Sequence, residues 1–299
     1  MIKFENVKKE FESVEAVQGV SGTIEKGSIY GLLGSNGAGK TTLMKILAGI
    51  YKEDSGSVTV DNQPVFENVE LKQKLIFIPD VLYFFPQTTI RQAANFYRDT
   101  YTAWNEERFQ KLYHVFNISP KKKIQRLSKG MQRQVAFWLT LSAMPDILLM
   151  DEPLDGLDAV MRQKVKNLLI EDVAERDMTI LISSHNLQEV EDLCDHIGIL
   201  HKGELLFEKD LDDLKSDVHK VQLAFKGDIP QALLEKLNLL YEEKRGSVLL
   251  CIVKGKEERI SSLVKQYSPV IFDILPLTLE EIFIYEMGGV GYAAENLLV

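Results

Sequence analysis

A glycine-rich stretch that ends in a lysine and a threonine is the part of the sequence best suited to bind an anion. It runs from Gly34 to Thr41 with the spacing of a phosphate-binding loop. Glycines let the backbone fold tightly, so that successive N–H groups point at one anion. Lys40 is expected to reach the outer phosphates of a nucleotide, and the Thr41 hydroxyl to hold Mg²⁺. The predicted lining residues are Gly34, Ser35, Asn36, Gly37, Ala38, Gly39, Lys40, Thr41 and Thr42.

Two carboxylates follow a short, wholly apolar stretch that is typical of a buried strand. The stretch covers Ile147 to Met150 and leads directly into Asp151 and Glu152. Charges in such a position are costly unless they are paired or bound to a metal. Beside a phosphate-binding loop, the first carboxylate is expected to hold Mg²⁺ and the second to polarise an attacking water. The alternative interpretation is a surface turn.

Three further residues have chemistry that a nucleotide site uses, although each has a plainer interpretation. His185 follows another apolar strand and is expected to face the ligand crevice of an open α/β sheet, although a lone histidine is more often structural. Phe11 offers a flat face for adenine, or else plugs the hairpin loop that holds it. Ser128 and Gly130 precede an apolar helix predicted at Val135–Ser142, and the N-terminus of a helix can bind an anion.

The elements that must position these residues read as alternating strands and helices. A buried strand at Ser28–Leu33 and a helix at Thr41–Ala48 flank the glycine-rich loop. Alternating residues before Glu25 predict half-buried antiparallel strands. The segment from Ile90 to Asn117 is mainly helical in pattern and rich in aromatic residues, which indicates a core or a partner surface.

From Val218 onward the pattern changes to a smaller unit. The order βαββαβ predicts a split βαβ sandwich, and Thr278 to Glu281 fits a capping box that opens a last helix. Nothing there is typical of catalysis, so regulation, docking or a purely structural lid are the open interpretations.

Composition narrows the class of protein. The chain has 299 residues, is 45% hydrophobic and carries a net charge of −9, which argues against binding dominated by nucleic-acid phosphates. Cys194 and Cys251 lie far apart in apolar patterns and are expected to be core thiols. No secretory signal and no run of about 18 apolar residues is evident, so we expect any membrane role to need another polypeptide.

Taken together, the motifs resemble the nucleotide-binding subunit of an ATP-binding-cassette (ABC) transporter. The resemblance covers residues 1 to 209 in one continuous order, and a signature motif between the two Walker motifs makes it specific. The matching segments are Gly34–Thr41 (Walker A), Ile147–Glu152 (Walker B with its catalytic glutamate), Leu127–Met131 (signature), Gly156–Asp158 (D-loop), His185 (switch histidine) and Phe11 (adenine-stacking aromatic).

The resemblance implies an α/β fold, a P-loop NTPase of the ABC type. Residues 1–209 would form the ATPase domain, with a mixed sheet core, an antiparallel β subdomain and a helical subdomain at about 88–145. Residues 210–299 would form a small α+β domain with a regulatory or docking role. The implied nucleotide-binding residues are those of the loop with Phe11, Ser128, Lys129, Gly130, Met131 and Asp158; the implied catalytic residues are Lys40, Glu152 and His185.

The sequence departs from the family pattern in two places. The signature has Lys129 and Met131 where glycine and glutamine are usual, and Lys129 adds positive charge that need not disrupt the site. Asp80 occupies the position of the Q-loop glutamine. As a hard oxygen donor it is a candidate Mg²⁺ ligand beside Thr41 and Asp151, and we hypothesise that it couples the nucleotide to the helical lobe.

The implied function is ATP hydrolysis between two facing ATPase subunits, either two copies or a related pair, with Mg²⁺ and an integral membrane permease at the cytoplasmic face of the membrane. The wording of Leu127–Met131, Tyr101–Trp104 and Leu279–Phe283 is similar to the bacterial peptide and antibiotic exporter branch. An importer ATPase is the closest alternative. ABC proteins of ribosomes or DNA repair fit less well, because they usually carry two cassettes or a long coiled-coil insertion, and no nucleic-acid partner is expected.

Overall fold

Strands and helices alternate through most of the chain, and the computed structural model describes residues 1–288. The strands, in chain order, are β1 (Ile2–Phe11), β2 (Val14–Ile24), β3 (Ile29–Leu33), β4 (Ser55–Val60), β5 (Gln63–Pro64), β6 (Leu75–Ile78), β7 (Ile147–Asp151), β8 (Thr179–Ser184), β9 (His196–His201), β10 (Glu204–Asp210), β11 (Val218–Ala224), β12 (Leu239–Arg245), β13 (Val248–Lys254) and β14 (Ile271–Leu275). The helices are α1 (Lys40–Leu47), α2 (Val69–Lys72), α3 (Ile90–Thr100), α4 (Glu106–Phe116), α5 (Lys129–Ser142), α6 (Ala159–Arg176), α7 (Leu187–Glu191), α8 (Leu211–Asp217), α9 (Gln231–Leu234), α10 (Glu257–Lys265) and α11 (Leu279–Gly288). Among these described helices, none is long and apolar enough to cross a membrane.

The elements form two compact units. The first contains Met1–Asn186 and Leu193–Glu208, and the second contains Leu187–Asp192 and the chain from Lys209 onward. The functional division at residues 209 and 210, and the helical subdomain at about 88–145, stay predictions.

The six-stranded sheet of the first unit sets the position of the nucleotide loop. Its strand order is β10-β9-β3-β8-β7-β6, and β9, β3, β8, β7 and β6 run parallel. All residues of β3, β7 and β8 are buried, as expected for strands covered on both faces. The register pairs Leu33 with Ser184 and Asp151 with Ser183, so three strands end at the same edge of the sheet. The loops that follow these strands are therefore neighbours.

A second sheet of the first unit is antiparallel, with the order β2-β1-β4-β5. Its buried side chains, among them Ile2, Phe4 and Ile24, share one hydrophobic core with α1 and β3. This agrees with the half-buried strands predicted before Glu25. The sheet brings the β1–β2 hairpin and the phosphate-binding loop into one packed body.

Helices α3, α4 and α5 carry seven aromatic residues: Phe96, Tyr97, Phe109, Tyr113, Phe116, Phe137 and Trp138. Trp138 is fully buried, stacks on Phe109 with ring centroids 4.6 Å apart, and donates its indole N–H to the Phe109 carbonyl at 2.8 Å. Phe116 also packs against Trp138. Phe96 is instead 53% exposed, next to the exposed ring of Phe85 at 5.8 Å. The aromatic segment thus supplies both a core and an exposed surface.

The second unit has the predicted βαββαβ order, from β11 to β14, in an antiparallel sheet ordered β12-β13-β11-β14. Thr278 and Glu281 exchange the hydrogen bonds of the predicted capping box at the start of α11. Glu191 of α7 accepts a hydrogen bond from the Leu279 N–H and pairs with Lys215. Helix α7 therefore belongs to this unit, although it follows His185 in the chain.

Both cysteines are free and buried, as the sequence predicts. Burial and the neighbouring Asp195 carboxylate raise the pKa of the Cys194 thiol well above its ordinary value. Burial likewise raises the pKa of Cys251 to about 12. Both thiols are therefore held in the unreactive, protonated form.

Candidate functional site

The phosphate-binding loop follows β3 and leads directly into α1. Gly39 has a φ of 105°, and a Cβ there would overlap the Ala16 carbonyl oxygen, so glycine is required by both conformation and space. The first N–H groups of α1 have no partner within the helix and are available to an anion. Lys40 is 6% exposed, and its ammonium group donates to the Gly34 carbonyl at 2.6 Å. The lysine is thus held beside the loop with which it would bind phosphate.

The Thr41 hydroxyl and the Asp151 carboxylate lie in direct contact next to this loop. Both are oxygen ligands of the kind that a hard cation prefers. The Thr41 hydroxyl donates to Asp151 Oδ2 at 2.6 Å, and Asp151 is 3% exposed. The buried Ser183 hydroxyl donates to Asp151 Oδ1 at 2.5 Å and accepts from the Glu152 N–H at 3.0 Å. A carboxylate and a hydroxyl in this arrangement fit Mg²⁺, which prefers oxygen ligands. Thr41 and Asp151 are the residues that would hold it.

Glu152 and His185 are also brought together. His185 Nδ1 lies 2.9 Å from Glu152 Oε2, and Lys40 Nζ lies 3.6 Å from Glu152 Oε1. Glu152 has a φ of 45°, a conformation that is uncommon for a residue with a side chain and that clusters at functional sites. The imidazole holds a carboxylate that can accept a proton from a nearby water. The predicted catalytic residues therefore form one cluster.

A cleft of about 470 Å³ contains the loop, Asp80, Asp151 and Glu152. It is also lined by residues that sequence reasoning missed, namely Val14, Glu15, Ala16, Gln18 and Lys202. Lys202 and Gly203, with φ of 47° and 83°, form the two-residue turn between β9 and β10. The Gly203 N–H donates to the Ala38 carbonyl at 2.8 Å, which ties this turn to the phosphate-binding loop. A two-residue hairpin turn is visible in the sequence, but its contact with the loop is not.

Phe11 lies at the end of β1 and is 41% exposed. Its ring packs edge-on against Tyr51, with ring centroids 5.5 Å apart, and Lys9 lies 5.5 Å from its centroid. On this side the cleft is lined by Val14, Glu15 and Ala16. Stacking of adenine on Phe11 stays a prediction.

The signature residues lie in the first turn of α5, outside the lining of that cleft. Ser128 caps the helix by accepting from the Met131 N–H at 3.3 Å, and Ser128 and Lys129 are exposed. A Cβ on Gly130 would overlap the Gly156 carbonyl oxygen, so this turn packs closely on the segment after Glu152. Asp158 caps α6 by accepting from the Met161 N–H at 2.9 Å. Within one chain, these residues are not brought to Lys40.

Asp80 is 52% exposed and forms an ion pair with Arg133 of α5, at 3.1 Å. It lines both the nucleotide cleft and a second cavity of about 330 Å³, which Lys129 and Gly156 also line. Its predicted role as a Mg²⁺ ligand stays a prediction, and its partner Arg133 was not foreseen from the sequence.

Similarity to known proteins identifies the family of this chain. A family profile described as "ABC transporter" matches residues 17–155. The ABC transporter ATP-binding protein YtrB of Bacillus subtilis (strain 168) is 35% identical over 97% of this chain and 99% of its own length. The chain belongs to the ATP-binding subunits of ABC transporters. The linearmycin resistance ATP-binding protein LnrL of the same strain is 33% identical to this ABC subunit over 69% of the chain and 68% of LnrL.

A solved structure agrees with the fold of this ABC subunit. The dimeric post-hydrolysis state of the ATP-binding cassette MJ0796, bound to ADP and Pi, superposes with a TM-score of 0.64 at 23% identity. The match covers 71% of this chain and 99% of that one. The predicted fold class, a P-loop NTPase of the ABC type, and the predicted ATPase activity are confirmed.

Proposed function

We propose that this ABC subunit hydrolyses ATP to power a bacterial exporter of peptides or antibiotics. The main support for ATP hydrolysis is the position of Glu152, whose carboxylate lies 3.6 Å from Lys40 Nζ and 2.9 Å from His185 Nδ1. The export direction is supported by the similarity to LnrL, which is named for resistance to linearmycin. The signature wording Leu-Ser-Lys-Gly-Met at Leu127–Met131 points to the same branch.

The residues of the cleft have different roles in phosphoryl transfer. The loop N–H groups and Lys40 bind the phosphates, while Thr41 and Asp151 would hold Mg²⁺, which would neutralise charge on the phosphates. Glu152 orients water and accepts its proton, and His185 holds the Glu152 carboxylate and contacts the outer phosphate. Little covalent chemistry is required of the protein, so positioning supplies most of the rate.

The site is completed by a second ATPase chain. Ser128 and Lys129 are exposed and lie outside the cleft of their own chain, at a helix N-terminus suited to an anion. We propose that they contact the outer phosphate bound by a facing copy, with Gly130, Met131 and Asp158 at the same interface. The dimeric state of MJ0796 bound to ADP and Pi supports such an arrangement.

The exposed aromatic surface is proposed as the docking site of the permease at the cytoplasmic face of the membrane. Tyr83, Phe85 and Phe96 are 77%, 58% and 53% exposed. They line a depression of about 630 Å³. Tyr83 follows Asp80 by three residues in the chain. Exposed aromatic rings in a concave patch are typical of a protein interface, and a cytoplasmic segment of the permease is the occupant we propose.

The substitution Glu152→Gln tests the proposed activity. Without a base for the attacking water, we expect ATP turnover to fall by about a hundredfold or more, while ATP still binds and holds two chains together. Turnover is measured by phosphate release, and association by light scattering with and without ATP. Cells that rely on this variant should also become more sensitive to linearmycin or related antibiotics.

The matched control is Glu171→Gln, which removes an exposed carboxylate from α6. It should leave turnover, association and resistance as in the wild type. Wild-type turnover in the Glu152→Gln variant would contradict the catalytic assignment. Unchanged antibiotic sensitivity, with turnover lost, would contradict the export proposal alone.

A further inference from the structure

Arg133 is a buried cation that contacts Asp80, one of the residues that line the nucleotide cleft. The arginine is 6% exposed and lies in the second turn of α5. One nitrogen, Nη2, lies 3.1 Å from Asp80 Oδ1 and donates to the Asp80 carbonyl at 3.0 Å, while Nη1 reaches the Pro79 carbonyl at 3.4 Å. A single guanidinium thus fixes the side chain and the backbone of the segment that follows β6.

The lining of the cleft has more carboxylates than cations, so the ion pair between Asp80 and Arg133 affects its net charge. Four carboxylates line it, and they belong to Glu15, Asp80, Asp151 and Glu152. The lining cations are Lys40 and Lys202. Asp151 and Glu152 are held by Thr41, Ser183 and His185, in positions that a metal and a water would use. Asp80 has no such partner among the lining residues, and without Arg133 its carboxylate would repel a polyphosphate.

We propose that Arg133 is a positioning residue for nucleotide binding, which neutralises Asp80 and holds it away from the polyphosphate. The inference rests on the proposed ATP site and adds a residue that does not itself line the nucleotide cleft. Because the guanidinium presents donors in a fixed fork, it holds the carboxylate and the two carbonyls together, which an ammonium group cannot do equally well.

The same contact links the cleft to the signature helix. Arg133 lines the second cavity together with Lys129, Gln132 and Gly156. It lies five residues after Ser128, the residue that caps the N-terminus of this helix.

The test compares Arg133→Gln with the double variant Asp80→Asn/Arg133→Gln in the full chain. In Arg133→Gln an unpaired carboxylate faces the cleft, and we expect the KM for ATP to rise about tenfold with kcat within about twofold. In the double variant that charge is gone, so KM should return to within about threefold of the wild-type value. Rescue by a second substitution is not expected if Arg133 only stabilises the fold.

Two further variants make the test decisive. Arg133→Lys keeps the charge but loses the fork, so its KM should rise by only about threefold, and it replaces Arg133→Gln if that variant does not fold. Arg98→Gln removes an exposed arginine of α3 and should change nothing. A wild-type KM in Arg133→Gln, or no rescue in the double variant, would overturn the inference. If the wild-type chain did not hydrolyse ATP, that result would instead overturn the proposed function.

Discussion

Ser183 contacts both Asp151 and Glu152, although no catalytic role is assigned to Ser183 itself. Its hydroxyl is fully buried, donates to Asp151 and accepts from the Glu152 N–H. It therefore orients the proposed metal ligand and the proposed base at once. Mutation of a group that holds a metal ligand in place typically costs about 10- to 100-fold in metal affinity or activity.

The substitution Ser183→Ala is expected to raise the Mg²⁺ concentration for half-maximal ATPase activity by about tenfold, because Asp151 loses the donor that orients it. The measurement is a Mg²⁺ titration at saturating ATP. Ser142→Ala removes another fully buried hydroxyl, which donates to the Trp138 carbonyl, and should not shift the titration. An unshifted Mg²⁺ requirement in Ser183→Ala would show that Asp151 does not depend on this contact.

At the residue scale, the sequence predicts those site residues that are contiguous in the chain. The loop from Gly34 to Thr41 and the pair Asp151–Glu152 are recognised because each motif follows its own strand directly. Ser183, Lys202 and Arg133 were not assigned roles, because their contacts depend on strand register and on the turn between β9 and β10. Such contacts join residues far apart in the chain.

At the scale of elements, helix α5 begins earlier than its apolar pattern suggests. The sequence predicts an apolar helix from Val135, whereas the structure starts it at Lys129, because Ser128 accepts a hydrogen bond from the Met131 N–H. The signature residues after Ser128 are therefore helical. Their first turn approaches the backbone at Gly156 so closely that residue 130 has no room for a side chain.

Gly130→Ala tests this close approach. Helix propensity alone predicts a gain of about 1 kcal/mol from alanine. We expect the opposite, a fall in ATPase activity of about tenfold, because a Cβ would push α5 away from the Gly156 carbonyl and displace the signature residues. Activity and melting temperature are measured together. Gly227→Ala, where a Cβ meets nothing within 4 Å, is the control, and full activity in Gly130→Ala would refute the packing argument.

At the scale of the whole molecule, the order of elements was predictable and their grouping only in part. The βαββαβ pattern after Val218 was recognised because each strand and helix has its own periodicity. The assignment of α7 to the second unit was not, because it depends on Glu191 reaching Leu279 and Lys215, far along the chain. Sequence periodicity reports which face is buried but not which element covers it.

The proposed active site is divided between two chains. Lys40 and the signature residue Ser128 do not share a cleft within one chain. If the site is composite, a chain with a defective cleft can still donate a sound signature motif, and the reverse also holds. Two inactive variants should then complement each other.

The most direct measurement mixes Lys40→Ala with Ser128→Arg and records ATPase activity. Each variant alone should be inactive. In an equal mixture, half of the dimers contain both variants, and one of the two sites in each is intact, so about a quarter of the wild-type activity should return. A mixture that stays as inactive as its components, although both variants are folded and associate, would contradict the composite site.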